Sequence, residues 1–241
     1  MIRSLNSRSI MIRRTLLALV LLAPLPLLAA EVASFSAQYD VSRNGSRIGE
    51  ATLTLTKDRQ GGSFVNETLG TQGLAALGGV KITETSQFAY RGGQPETRQY
   101  TYEQKSRFNN RRRDARVDPA SARIVTTDRD GVNELPYSPG VVDRQLLTIA
   151  LMQAIAAGKT GPQAFTVVGR RNVEPQVWQI GSVESVPQSS EKGWRIERVR
   201  ETANGRSTTL WLDQDQGHLP LRIEQTEDDG SRLELHLVKR G

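Results

Sequence analysis

Phe35-Ser36-Ala37-Gln38-Tyr39-Asp40-Val41, then Asn44-Gly45, then Ala51-Thr52-Leu53-Thr54-Leu55-Thr56: two alternating runs flank a two-residue turn signal. Successive side chains of a strand point to opposite faces, so Ala37, Tyr39 and Val41 share one face, as do Ala51, Leu53 and Leu55. Asn-Gly supplies the left-handed backbone that a tight hairpin needs. The stretch predicts an antiparallel hairpin with one apolar and one polar face.

The same pattern continues outward. Gln60-Gly61-Gly62 turns into Phe64-Val65, and Ile82 to Tyr90 makes another strand. Gly92-Gly93-Gln94-Pro95 leads into Thr97 through Phe108, and Asn109-Asn110 turns into Arg111 to Val117. Later runs are Val177 to Val186, Trp194 to Glu201, Arg206 to Leu212, Leu219 to Thr226 and Leu233 to Val238. Asn204-Gly205, Asp215-Gln216-Gly217 and Asp228-Asp229-Gly230 connect them. Regular short strands between turns predict a mostly β protein, an antiparallel curved sheet or half-open barrel of about eleven strands.

One segment departs from period two. Leu146 through Ala157 is apolar except for Thr148 and Gln153, and it lies between Asp143 and Gly158. Asp143 can accept hydrogen bonds from the exposed amides of a helix start, and Gly158 can take the left-handed closing turn. A helix over about 143–157 that is apolar nearly all round is buried on more than one side, packed in the sheet's concavity. Gly73-Leu74-Ala75-Ala76-Leu77-Gly78-Gly79 is a second apolar piece, a turn of helix or a flap hinged by glycines. Gly158 to Pro162 is the seam between two sections of one continuous sheet.

The first 30 residues read as a secretory signal peptide. Arg3, Arg8, Arg13 and Arg14 precede an apolar run from Leu16 to Leu28, broken by Pro24 and Pro26, that ends at Ala29-Ala30. A second start at Met11 and a twin-arginine reading of Arg13-Arg14 stay open. This predicts residues 31–241 as a single β-rich domain in the periplasm, with no membrane span. The whole chain carries 32 Lys+Arg against 26 Asp+Glu. Four of the arginines and none of the carboxylates lie in the leader, so the exported part is nearly balanced, which argues against a nucleic-acid partner. With no cysteine, a lipoprotein anchor, disulfides, a thiol nucleophile and cysteine-ligated zinc are all excluded.

Tyr39-Asp40-Val41 with Gly45 and Ile48-Gly49, Thr71 and Gly73-Leu74, and Phe88, Pro95 and Tyr100 form a sequence of turn and core signals. Asp143 before the apolar helix, Trp211-Leu212-Asp213 and Leu219-Pro220-Leu221-Arg222 complete it. In these the chain resembles a family of bacterial envelope proteins known only as domain of unknown function 3108. The resemblance implies a periplasmic protein and no particular reaction. The element order is also similar to that of periplasmic lipoprotein carriers, in which a half-open barrel holds an apolar cavity under helical lids; this is fold analogy.

Catalytic signatures are missing. There is no Gly-x-Ser-x-Gly elbow and no glycine-rich phosphate loop. Asp213, Asp215 and Glu224 echo part of a calcium loop around His218, but Gly217 stands one place early, and the segment reads as a polar hairpin turn. His236 alternates with Leu235 and Leu237 and reads as solvent-facing. Glu67, Glu84 and Glu103 lie mid-strand and could face a cavity. The expectation is no catalytic residue, no metal and no cofactor.

The run Arg107, Arg111-Arg112-Arg113, Arg116 is the densest charge feature. It reads either as a solvated sheet edge or as a contact for anionic head groups. The leading functional expectation is non-enzymatic binding of a lipid-like or amphipathic envelope molecule in the sheet's hollow. Leu53, Leu55, Phe88, Tyr100 and Tyr102 would line it, Leu74 and Leu77 gate it, and Arg111 to Arg113, whose alternate side chains fall on opposite faces, meet an acidic head group at the rim. A structural or assembly partner for another envelope protein is the alternative, and an enzyme acting on an envelope polymer the third reading.

Overall fold

The structure, a computed structural model, describes residues 32–199 and 206–241. The expected leader and its cleavage site, and the expected Asn204-Gly205 turn, lie outside the described residues. Among those described, strands dominate. In chain order they are β1 (Phe35–Arg43), β2 (Ser46–Lys57), β3 (Gly61–Gly70), β4 (Lys81–Arg91), β5 (Gln94–Lys105), β6 (Arg111–Asp118), β7 (Arg123–Asp128) and β8 (Gly131–Pro136). After them come β9 (Val142–Asp143), β10 (Gly161–Val168), β11 (Val173–Ser185), β12 (Lys192–Val199), β13 (Ser207–Asp213), β14 (Pro220–Thr226) and β15 (Arg232–Arg240). Helix α1 (Gly73–Leu77) follows β3 and α2 (Leu146–Ala156) follows β9.

The decisive hairpin forms as its sequence directs. Asn44 (φ 49°) and Gly45 (φ 79°) are both left-handed, the geometry of a two-residue turn matched to strand twist. Ala37, Tyr39 and Val41 face inward with Ala51, Leu53 and Leu55, all buried. The strand count is fifteen rather than about eleven. β7, β8, β9 and β10 are the additions, and β7 and β8 lack the apolar alternation that reveals a strand. Only Ile124 and Thr126 of β7 are buried, and β8 buries none of its residues.

All fifteen strands form one sheet, in the order β8-β7-β6-β5-β4-β3-β2-β1-β15-β14-β13-β12-β11-β10-β9. The ladders are antiparallel except the short β9–β10 pair. The sheet does not close through a ladder, but it curls until its ends are stitched together. Thr97 N donates to Val141 O at 2.9 Å, Asp143 N to Thr97 Oγ1 at 2.7 Å, and Thr126 Oγ1 to Arg170 O at 2.8 Å.

Helix α2 occupies the enclosed space. Nine of its residues are buried, and all of them but Gln153 share one apolar cluster with Leu53, Leu55, Phe64 and Phe88 from one half of the sheet and Trp178, Ile180, Ile196 and Leu212 from the other. Each large aliphatic side chain so enclosed contributes about 1.5–3 kcal/mol. The helix is shorter than expected at its start because Val142 and Asp143 extend along β10 instead. Asp143 still serves the helix. Its Oδ1 accepts from the amides of Gln145 and Leu146, both at 2.9 Å, and from Ser86 Oγ at 2.7 Å, while Oδ2 accepts from Thr97 Oγ1 at 2.8 Å. Burial raises the Asp143 carboxyl above its ordinary pKa, although these four bonds oppose the shift. At the far end Gly158 takes φ +71°, donating to Ile155 O at 2.7 Å while Lys159 donates to Ala154 O at 2.9 Å, the paired bonds of a Schellman closure.

Candidate functional site

Where the sheet's ends meet, a second apolar cluster forms from Tyr100, Ala115, Val117, Ile124, Val141 and Val168. Its packing stops short at the strand ends that carry the β5–β6 and β7–β8 connections. There an inner chamber of about 140 Å³ remains, with Tyr100, Ala115, Val167 and Val168 among its lining residues. Arg113, Asp114, Thr127, Asp128 and Arg170 line both it and an outer chamber of about 500 Å³, which also takes in Asn110, Arg111, Arg112 and Arg129. The result is a cleft with an apolar floor and an arginine rim.

The rim arginines fall into two kinds. Arg144, just ahead of α2, donates to Glu84 Oε1 at 2.7 Å, to Oε2 at 3.0 Å and to the Tyr100 hydroxyl at 2.9 Å. Tyr100 in turn donates to Glu84 at 2.7 Å. Arg170, in the β10–β11 turn, is held by Asp128 and Asp130, and Arg112 by Glu103 and Asp114. Asp128, pulled below its ordinary pKa by Arg170, stays ionised to hold it. Arg111 and Arg113 form no ion pair among the described residues. The Arg113 guanidinium lies over the Tyr102 ring at 5.4 Å, and that of Arg144 at 5.2 Å, in cation–π range. Burial raises the hydroxyl pKa of both Tyr100 and Tyr102, so both remain protonated donors at neutral pH; the Glu84 charge adds to the rise at Tyr100. Chemically, the arrangement offers unpaired guanidiniums and neutral hydroxyl groups beside an apolar floor.

The seven residues expected to bind a ligand occupy three places. Tyr100, Tyr102, Arg111 and Arg113 come together at the cleft. Phe88 lies in the main core, edge-to-face with Tyr90 at 5.5 Å and away from the cleft. Leu74 and Leu77 sit on α1, 86 % and 67 % exposed. The middle of the sheet, lined by Leu53, Leu55 and Phe88, is occupied by α2. β6 pairs with β5 through Arg111 to Arg116, but with β7 only from Asp114 to Asp118, so Arg111 to Arg113 keep one edge of the strand unpaired while Arg116 is covered on both sides. β7, unrecognised in sequence, supplies that partial cover. Glu67, Glu84 and Glu103 do not converge: Glu84 faces the cleft, Glu67 pairs with Lys81, and Glu103 pairs with Arg112 and Lys105.

Asp213 to His218 forms the β13–β14 turn. Asp213 Oδ1 accepts from the amides of Asp215 and Gln216, and Oδ2 pairs with Arg240 at 2.7 Å. His236 is not fully solvent-facing; it is partly buried, with Nε2 3.2 Å from Glu234. Sequence reading missed Arg144, Arg170 and Asp128 as members of the site, and named Glu84 only as one of three glutamates that could face a cavity. Only Arg144, next to the helix-start aspartate, carries a local hint.

Three comparisons place this geometry among known proteins. The profile of a family described as "Protein of unknown function (DUF3108)" matches residues 38–238. No curated protein matches the chain in sequence. Among solved structures, a β-barrel-like protein of domain of unknown function DUF1849 from Brucella abortus superposes with a TM-score of 0.55. The match has 13 % identity and covers 87 % of this chain and 98 % of that one. At that identity the likeness concerns the fold alone.

Proposed function

The chain belongs to the DUF3108 family, and from that premise we propose that it binds an anionic amphiphile of the bacterial envelope in the arginine-rimmed cleft, without transforming it. The carrying observation is Arg113: half-buried, stacked on Tyr102, without a carboxylate partner among the described residues, and at the junction of both chambers while Arg112, Arg144 and Arg170 are neutralised. An unpaired guanidinium held in place by an aromatic ring suits a phosphate or carboxylate head group, which it can grip through two parallel bonds. The apolar floor of Tyr100, Ala115, Val167 and Val168 suits the first part of a hydrocarbon tail. The basic and apolar leader of residues 1–30 supports a periplasmic location, where such molecules are handled.

Calorimetric titration with decyl phosphate and with decanol tests the reading. The phosphate binds and the alcohol does not, and Arg113→Gln weakens binding at least tenfold, the scale of one hydrogen bond to a charged group, about 1.5–3 kcal/mol. Equal affinity for both ligands, or no loss in an Arg111→Gln, Arg113→Gln double variant, refutes it.

A further inference from the structure

The cleft mouth opens beside a surface that it does not use. α1 sits on the same end of the sheet as the β5–β6 loop, and the two are joined: Arg107 N donates to Gly78 O at 2.8 Å. A Cβ on Gly78 would stand 3.5 Å from the Phe108 ring, so that ring lies against the end of α1. α1 is seated on β3 by close backbone approach, with Gly70 meeting Ala75 so tightly that a Cβ there would fall 2.7 Å from the Ala75 methyl. None of the five α1 residues is buried. The consequence is three large apolar side chains displayed together: Leu74 at 86 % exposure, Leu77 at 67 % and Phe108 at 85 %. They account for three of the most exposed large hydrophobics among the described residues, and they share one tip.

The charges around this tip have one sign in excess. Lys81, Lys105 and Arg112 are each offset by Glu67, Glu103 or Asp114. Arg107, beside Phe108 in the β5–β6 loop, and Arg111, at the start of β6, form no ion pair among the described residues. Exposed apolar side chains at a tip, ringed by uncompensated cations, complement a surface that is anionic outside and apolar just beneath. A protein partner would be matched by an apolar patch alone and gives no reason for the cationic collar.

We propose that Leu74, Leu77 and Phe108 insert into the interfacial layer of an anionic phospholipid membrane, with Arg107 and Arg111 on its head groups, seating the protein with its cleft mouth against the bilayer. This inference goes beyond ligand binding and does not depend on it.

The absence of cysteine makes a single introduced thiol a unique attachment point. An environment-sensitive fluorophore on Phe108→Cys reports insertion, and the same fluorophore on Gln60→Cys, in the β2–β3 turn at the opposite end, is the control. With phosphatidylglycerol-containing vesicles, the probe at 108 shifts to the blue and the probe at 60 does not. Phosphatidylcholine vesicles give little shift. Arg107→Gln and Arg111→Gln each weaken partitioning about fivefold, the attraction of one arginine to an anionic surface. Leu74→Ser with Leu77→Ser abolishes the shift, and an unchanged circular dichroism spectrum certifies the fold. No shift at 108, equal shifts at both positions, or indifference to the arginine and leucine substitutions overturns the proposal. So does a position-108 cross-link to a protein in place of vesicle binding.

Discussion

Replacing Asp143 by alanine removes one acceptor group from four donors at once, and the cost follows from the partners. The amides of Gln145 and Leu146 lose their cap, a loss of about 1 kcal/mol when a capping side chain is truncated. Ser86 and Thr97 are fully buried and lose their acceptor with no water in reach. Each orphaned group of that kind costs about 1–3 kcal/mol. Thr97 stands at the low end because its oxygen still accepts from the amide of residue 143. The sum is roughly 3–5 kcal/mol, a large share of the about 5–15 kcal/mol that holds a typical domain together.

Urea unfolding followed through the fluorescence of Trp178, Trp194 and Trp211 measures the loss. Asp143→Asn separates charge from shape: its oxygen serves the two amides and Ser86, and its amide group can donate to Thr97. Burial places the folded carboxyl above the unfolded value of about 3.9. The contribution of protonated Asp143 is therefore fully present below the unfolded pKa and lost as pH rises through the folded one. The stability advantage of the wild type over Asp143→Asn should shrink as pH climbs from about 4. A cost of under about 1 kcal/mol for Asp143→Ala, or an advantage that grows with pH, refutes the reasoning, the latter by showing that four donors outweigh burial.

Other perturbations have comparably definite outcomes. Leu151→Asp puts an unpaired charge at the centre of α2, where Leu151 is 1 % exposed, at a cost of several kcal/mol, and should abolish soluble expression; Leu74→Asp, on the open face of α1, should not. Gly158→Ala forces a left-handed alanine at φ +71° and should lower stability by about 1–2 kcal/mol in the same unfolding assay. Glu96 is fully buried and takes the Tyr137 hydroxyl at 2.9 Å, the Gly140 amide at 2.7 Å, and Arg91 and Arg98, so Glu96→Ala should unpin the 137–140 loop. Faster amide hydrogen exchange confined to that loop and β9 is the expected readout; unchanged exchange at Gly140 counts against it.

The alternation of Phe35 to Thr56 was legible because one face is buried along its whole length, and burial is what imposes period two. β7 and β8 were not, since Arg123 to Pro136 buries only Ile124 and Thr126 and is held mainly by its ladders to β6 and within its own hairpin. The apolar helix announced itself, as did its terminal Gly158. The cleft did not. Arg113 lies on β6, Arg144 ahead of α2 and Arg170 in a turn after β10, and only the curl of the sheet brings them together. The register did carry one clue that spacing alone could use: Arg111 and Arg113 share a face, and the structure turns that face inward. Their significance still required knowing which neighbouring arginines were already neutralised.

The order of the sheet also fixes when it can be finished. Among the described strands, β1 to β8 pair each with its successor, as do β9 to β15, and the one ladder joining strands remote in sequence is β1 with β15. The first and last strands thus meet at the sheet's centre, with Ala37 opposite Arg240 and Gly241 N donating to Ser36 O at 2.7 Å. Until β15 emerges from synthesis, the chain is two open meanders, each with an unpaired edge, and α2 has only half its enclosure. Closing that last ladder requires a loop of nearly the whole domain, which favours slow assembly. The same adjacency means that a linker from Gly241 to Ser34, with new ends cut at Ser138-Pro139 between β8 and β9, which share no ladder, leaves every ladder between consecutive strands. A permutant of that design folds to the same sheet but acquires its central ladder as a local hairpin, and should reach the native state faster than the natural order of strands allows.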